Sequence, residues 1–156
     1  MTFPVGSAIG VTDPSLLQVA ANSSTTSVLT NGAVDNEAKT AITTGAAFAK
    51  VTFTGQLAAT GKVGAAVYVY RRDLAVDGVK SETKPSAANR RTRIASIYLP
   101  DTLAASTEVV ASANGCPLQG ITGKASEFYI GNDTGVSISA GWTLKVTPMS
   151  YKAQEV

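Results

Sequence analysis

The chain has 156 residues, 44% of them hydrophobic, and a mean hydropathy of +0.12, which fits one domain that buries roughly 70% of its unfolded surface without covalent staples. Charged residues make up only 15% and sum to +2, against roughly 25% charged in an average soluble domain, so the surface is polar but weakly charged and suits packing against other protein. With no histidine and one cysteine, the commonest general base, the usual partner of a catalytic Ser or Cys, a His-based zinc site and an intrachain disulfide are all excluded.

In chain order, Met1 to Ser7 lacks the basic and apolar regions of a signal peptide, and no run approaches 18 apolar residues. The expectation is a protein made in a cytoplasm that does not cross a membrane by itself. Residues 1 to 22, with Pro4, Gly6, Gly10 and few charges, form no core of their own and read as an extended N-terminal arm. Within it Asp13-Pro14-Ser15-Leu16-Leu17 suits one helical turn, Asp13 capping and Pro14 in first position.

From residue 23 to 156 the signal is period-two alternation rich in Val, Thr, Tyr, Ile and Phe, broken by Gly, Asn, Asp and Pro. Strands are predicted over Ser27 to Thr30, Ala47 to Thr54, Ala65 to Arg71, Ile94 to Leu99, Glu108 to Ala111, Ser126 to Ile130, Val136 to Ser139 and Thr143 to Thr147. Gly131 to Gly135 should close a hairpin. Seven to nine short strands at this spacing predict an all-β domain, a single β-sandwich or jelly roll. The predicted core comprises Val51, Phe53, Val67, Val69, Ile97, Leu99, Phe128, Ile130, Leu144 and Val146, with Cys116 as a small buried hydrophobe.

One segment departs in composition. Arg71 to Arg93 holds seven basic residues, Arg71, Arg72, Lys80, Lys84, Arg90, Arg91 and Arg93, against Asp73, Asp77 and Glu82, so 7 − 3 gives +4, whereas the remainder is 6 − 8, or −2. Pro85 to Asn89 interrupts any periodicity, so residues 71 to 93 are expected as a projecting loop, long enough to be functional. Its seven cations are the candidate partner-binding residues. Nucleic acid is not the expected partner, because the chain is only +2 and no aromatic lies between Asp73 and Tyr98 to stack on bases. Salt bridges to an acidic protein surface are the better use.

Other motifs fail on their own chemistry. Gly55-Gln-Leu-Ala-Ala-Thr-Gly61-Lys62 has one residue too many between its glycines for a phosphate loop, and Val63 stands where Ser or Thr would hold magnesium. Asp73-Leu-Ala-Val-Asp77-Gly78 lacks the further ligands and distal Glu of a calcium loop. The scattered carboxylates sit beside turn formers, as solvated turn residues do, and the triplets Asn22-Ser23-Ser24 and Asn132-Asp133-Thr134 lack the secretion signal that glycosylation needs. No cofactor or metal is expected. Tyr68, Tyr70, Tyr98, Phe128, Tyr129 and Trp142 could line a sugar site, the alternative reading as a carbohydrate-binding or adhesin-like module, but their place in strands favours core packing.

Two stretches carry a resemblance. Ala66-Val-Tyr-Val-Tyr-Arg-Arg-Asp-Leu-Ala-Val-Asp-Gly78 and Glu127-Phe-Tyr-Ile-Gly-Asn-Asp-Thr-Gly-Val-Ser-Ile-Ser-Ala-Gly-Trp-Thr-Leu-Lys-Val-Thr-Pro148 resemble segments of small structural proteins encoded in the morphogenesis regions of tailed bacteriophages. The resemblance implies a non-enzymatic virion component assembled in the host cytoplasm. It would be a capsid decoration or cement protein, or a tail, collar or baseplate protein. Its implied partners are the major capsid protein or other virion proteins, and further copies of itself in a homo-oligomer. No functional residue transfers with it.

Overall fold

The computed structural model describes residues 8–10, 20–23, 28–35, 41–42, 48–76, 78–89, 93–118 and 125–152. These residues are all-β, with nine strands: β1 (Ala8–Gly10), β2 (Ala20–Ser23), β3 (Ala41–Ile42), β4 (Phe48–Gln56), β5 (Ala66–Leu74), β6 (Arg93–Tyr98), β7 (Glu108–Pro117), β8 (Ala125–Asp133) and β9 (Thr143–Lys152). Every pairing is antiparallel. One sheet runs β7-β4-β9, with β1 and β2 both on the far side of β9; the other runs β3-β8-β5-β6.

Alternation decides which way each strand faces. In β4, Ala49, Val51 and Phe53 are buried while Lys50 and Gln56 are exposed, as a pleat with one wet face requires. The inner residues of both sheets form one cluster that contains all ten predicted core positions, together with Leu57, Ile138 and Trp142. Two antiparallel sheets thus share a single core in a sandwich-like arrangement. Cys116 is buried at its margin.

Several strands outrun their predicted ends. β7 continues past Ala111 through a register shift where Lys50 alone stands between Ala49↔Cys116 and Val51↔Ala113. That shift breaks the alternation which would have announced the extension. β9 continues through Pro148. β2 pairs with Val146 to Thr143 and β1 with Ser150 to Lys152, so Pro148, lacking an N–H, falls between the two ladders, where an edge-like position tolerates it.

The N-terminal segment therefore runs antiparallel along β9 in two described pieces. Between the two ladders, Thr147 to Met149 of β9 pair with neither β1 nor β2. The predicted helical turn at Asp13 to Leu17 and most of the expected arm lie outside the described residues.

Gly131 to Gly135 does not close a hairpin between neighbouring strands. β8 continues through Asp133, and the chain then crosses to the opposite sheet. Asn132 sets this crossing: its Nδ2 donates to Leu29 O and Val136 O, both at 2.8 Å, while its Oδ1 accepts from Thr134 N and Oγ1 at 2.9 and 2.8 Å. Val136 to Ser139, predicted as a strand, contributes bridges from Ile138 to Leu29 and Leu57 instead.

Candidate protein interface

Register fixes the outer face of the four-stranded sheet. Across β5 and β8, Ala66 faces Asp133, Tyr68 faces Gly131, Tyr70 faces Tyr129 and Arg72 faces Glu127; across β5 and β6, Ala66 faces Tyr98 and Tyr68 faces Ser96. Directly opposed residues project to the same side, so four tyrosines share this face.

They divide into a sealed half and an open half. Tyr70 and Tyr129 are each 1% exposed and pack with Val34 in a second small cluster. The Tyr70 ring lies over Gly131, where an added Cβ would stand 2.7 Å from Cε2. Tyr129 OH donates to Glu127 Oε2 at 2.6 Å, and Arg72 Nη1 reaches the same oxygen at 3.2 Å. Burial, and then the bond to Glu127, push the Tyr129 phenol up to about 12, with Arg72 opposing.

In the open half, Tyr68 OH donates to Asp133 Oδ2 at 2.8 Å and Lys62 Nζ meets Oδ1 at 2.9 Å. The Arg93 guanidinium stands 4.5 Å from the Tyr68 ring centroid, a cation–π contact. The bond to Asp133, then burial, raise the Tyr68 phenol, and Arg93 opposes. Tyr98, on the same face, is 71% exposed. The outcome is a row of Lys62, Asp133, Tyr68 and Arg93 with Tyr98 alongside, carried on paired strands. Tyr and Arg are the residue types enriched at the energetic centres of protein interfaces. Two cations to one carboxylate bias the row toward an acidic partner.

The seven cations predicted from sequence separate by role. Arg71 and Arg72 lie within β5 and hold the base of the following loop. Arg71 Nε is 3.2 Å from Asp73 Oδ1, an oxygen that also accepts from Ser126 Oγ at 2.6 Å, and Asp73 is only 2% exposed. Arg72 Nε donates to Glu82 O at 2.6 Å, Glu82 N to Asp73 O at 2.9 Å, and Asp73 N to Glu82 Oε2 at 2.8 Å. Glu82 is thereby tied back to the end of β5, with a Val76 to Lys80 bridge and Gly78 at φ 75° between them. The connection between β5 and β6 thus begins after Leu74, so the loop is shorter than Arg71 to Arg93. Lys80 and Lys84 are exposed on it, Arg93 belongs to the row beside Tyr68, and Arg90 and Arg91 lie outside the described residues.

Lys62 and Asp133 are not among the partner-binding residues expected from sequence, and Tyr98 enters there only as one of the aromatics that could line a sugar site. Tyr98 was visible in the alternation, opposite in phase to Ile97 and Leu99. Lys62 and Asp133 are 71 residues apart in sequence, and only the fold joins them.

The remaining candidates resolve on geometry. Trp142 and Tyr129 are buried and present no ring to a sugar. In the glycine-rich turn, Gly61 N and Lys62 N donate to Leu103 O and Thr134 O, so these amides do not cradle a phosphate. Among the described residues no group of three His, Cys, Asp or Glu side chains is placed to hold a metal, and no helix is long and apolar enough to cross a membrane. The outer face of the other sheet carries Lys50, Thr52, Thr54, Val110, Ser112 and Lys145, with Thr52 Oγ1 and Ser112 Oγ 2.9 Å apart. Comparison with known proteins gives no match: no family model, curated protein or solved structure identifies a relative of this chain.

Proposed function

We propose that the chain is a non-enzymatic structural component of a virus particle, specifically a head-decoration protein that fastens to the major capsid protein. The observation that carries the attachment is the exposed row of Tyr98, Tyr68, Arg93 and Lys62 on a sheet whose other side is fully packed. It offers aromatic area and directional charge without the ordering cost of a mobile loop. The phage resemblance supports the particle setting; its first stretch covers β5, and its second begins in β8, the hydrogen-bonded neighbour of β5, and runs on into β9 of the other sheet.

In this reading the domain is a β-sandwich of jelly-roll type whose β1 and β2 stay docked on its own β9, and Lys80, Lys84, Arg90 and Arg91 extend the basic side toward an acidic surface. Exposed ion pairs contribute only about 0 to 1 kcal/mol each and are screened over roughly 8 Å. Repetition over a homo-oligomer bound to a repeating shell multiplies such weak contacts.

The test is quantitative mass spectrometry of purified particles of the virus whose genome carries this sequence. Head decoration predicts a copy number comparable to that of the major capsid protein. A few copies per particle would move the chain to the tail, collar or baseplate, and its absence from particles would overturn the virion reading.

A further inference from the structure

Asn-Gly occurs twice in the chain, at 31–32 and 114–115. Glycine after asparagine leaves the following amide nitrogen unhindered. That nitrogen can attack the Asn side-chain carbonyl carbon, expel ammonia and close a succinimide, which water then opens to aspartate or isoaspartate. No cofactor or oxidant enters the balance; the side-chain amide leaves as ammonia and one water is consumed. Folded structure decides whether the nitrogen and the carbonyl can meet.

The two sites differ in that respect. Gly32 N donates to Asn132 O at 2.8 Å, and Asn31 Oδ1 accepts from Gly135 N at 3.0 Å. Gly32 N must leave Asn132 O before it can attack, and the bond from Gly135 N restrains the Asn31 side chain that the nitrogen has to meet. Asn114 and Gly115 instead occupy the bulge of β7, outside the pairing register, which passes from Ala113↔Val51 to Cys116↔Ala49. Both are solvent-exposed, and Gly115 has φ 67°. The strand around them lies at the edge of its sheet, opposed on one side only.

We propose that Asn114 is a site of spontaneous deamidation, selected over Asn31 by the β7 bulge. The product carries a new carboxylate and takes the formal net charge from +2 to +1. The β4 residue opposite the bulge is the exposed Lys50, so the new charge arises beside an ammonium. Isoaspartate also inserts one main-chain carbon just ahead of Cys116 and Leu118, which are buried. The aspartate form is therefore tolerated better than the isoaspartate form. None of this depends on the particle reading.

The intact chain is incubated at physiological temperature and mildly alkaline pH, and tryptic peptides Ile94 to Lys124 and Met1 to Lys39 are followed by tandem mass spectrometry, with isoaspartyl methyltransferase labelling to separate the two products. In the folded protein Asn114 should convert roughly fivefold or more faster than Asn31, the factor expected when one ordinary hydrogen bond of about 1 kcal/mol must open first. In concentrated urea the two rates should converge, and Asn114→Gln should abolish the labelled product from the Ile94 to Lys124 peptide. Equal rates in the folded protein, faster conversion at Asn31, or conversion of Asn114 only after unfolding would overturn the proposal.

Discussion

Phe53→Ala tests the shared core at its centre. Phe53 is fully buried in β4, opposite Leu144 of β9 and Ala111 of β7. Its ring lies over Gly55, where a Cβ would come within 2.7 Å of Cζ. Because β4 is hydrogen-bonded on both sides, the strands around the lost ring cannot collapse into the cavity. The cost should be about 3 to 5 kcal/mol, a fall in Tm of roughly 6 to 20 °C for a chain of this size. Urea unfolding should show a lower midpoint at an unchanged m-value. Thr54→Ala, one residue away on the outer face, should stay within about 0.5 kcal/mol of the parent. A loss below about 1 kcal/mol for Phe53→Ala, or an equal loss for Thr54→Ala, would refute the assigned faces.

Arg72→Ala removes the cation paired with the partly buried Glu127 and the donor to Glu82 O, and should cost roughly 1 to 3 kcal/mol in urea unfolding; Lys80→Ser with Lys84→Ser should change stability by no more than about 0.5 kcal/mol. Gly131→Ala drives a methyl into the Tyr70 ring and should cost about 1 to 3 kcal/mol by the same assay. Tyr129 titrates near 12 in the folded chain against 10.0 as its ordinary value, so between these pH values the unfolded state binds fewer protons and stability falls as pH rises. Denaturation midpoints measured across that window should decline less steeply in Tyr129→Phe than in the parent.

Period-two alternation made the inner faces legible because residues two apart share one side of a strand, and all ten core positions follow from that rule alone. Strand ends were less legible wherever the rule is interrupted: at the bulge before Cys116, and at Pro148, which a strand paired on both sides would not accommodate but the break between the β1 and β2 ladders does. The crossing after Asp133 looked like a hairpin because Asn132, Thr134 and Gly135 are turn formers. Which sheet receives the next strand depends on pairings with Leu29 and Leu57, which no local pattern encodes.

Site residues follow the same division. The basic segment was visible as charge, but charge alone could not separate Arg71 and Arg72, committed to Asp73, Glu127 and Glu82, from Arg93 beside Tyr68. That distinction requires the register of β5 against β8 on one side and β6 on the other.

Co-sedimentation of the purified chain with particles assembled without it, at low and physiological salt, tests the proposed attachment through the outer face of the β3-β8-β5-β6 sheet. Tyr98→Ala combined with Arg93→Ser should leave the unfolding midpoint near that of the parent and weaken binding at least about tenfold, with a shallower salt dependence. Binding by the double variant as tight as the parent's at both salt concentrations would contradict the account.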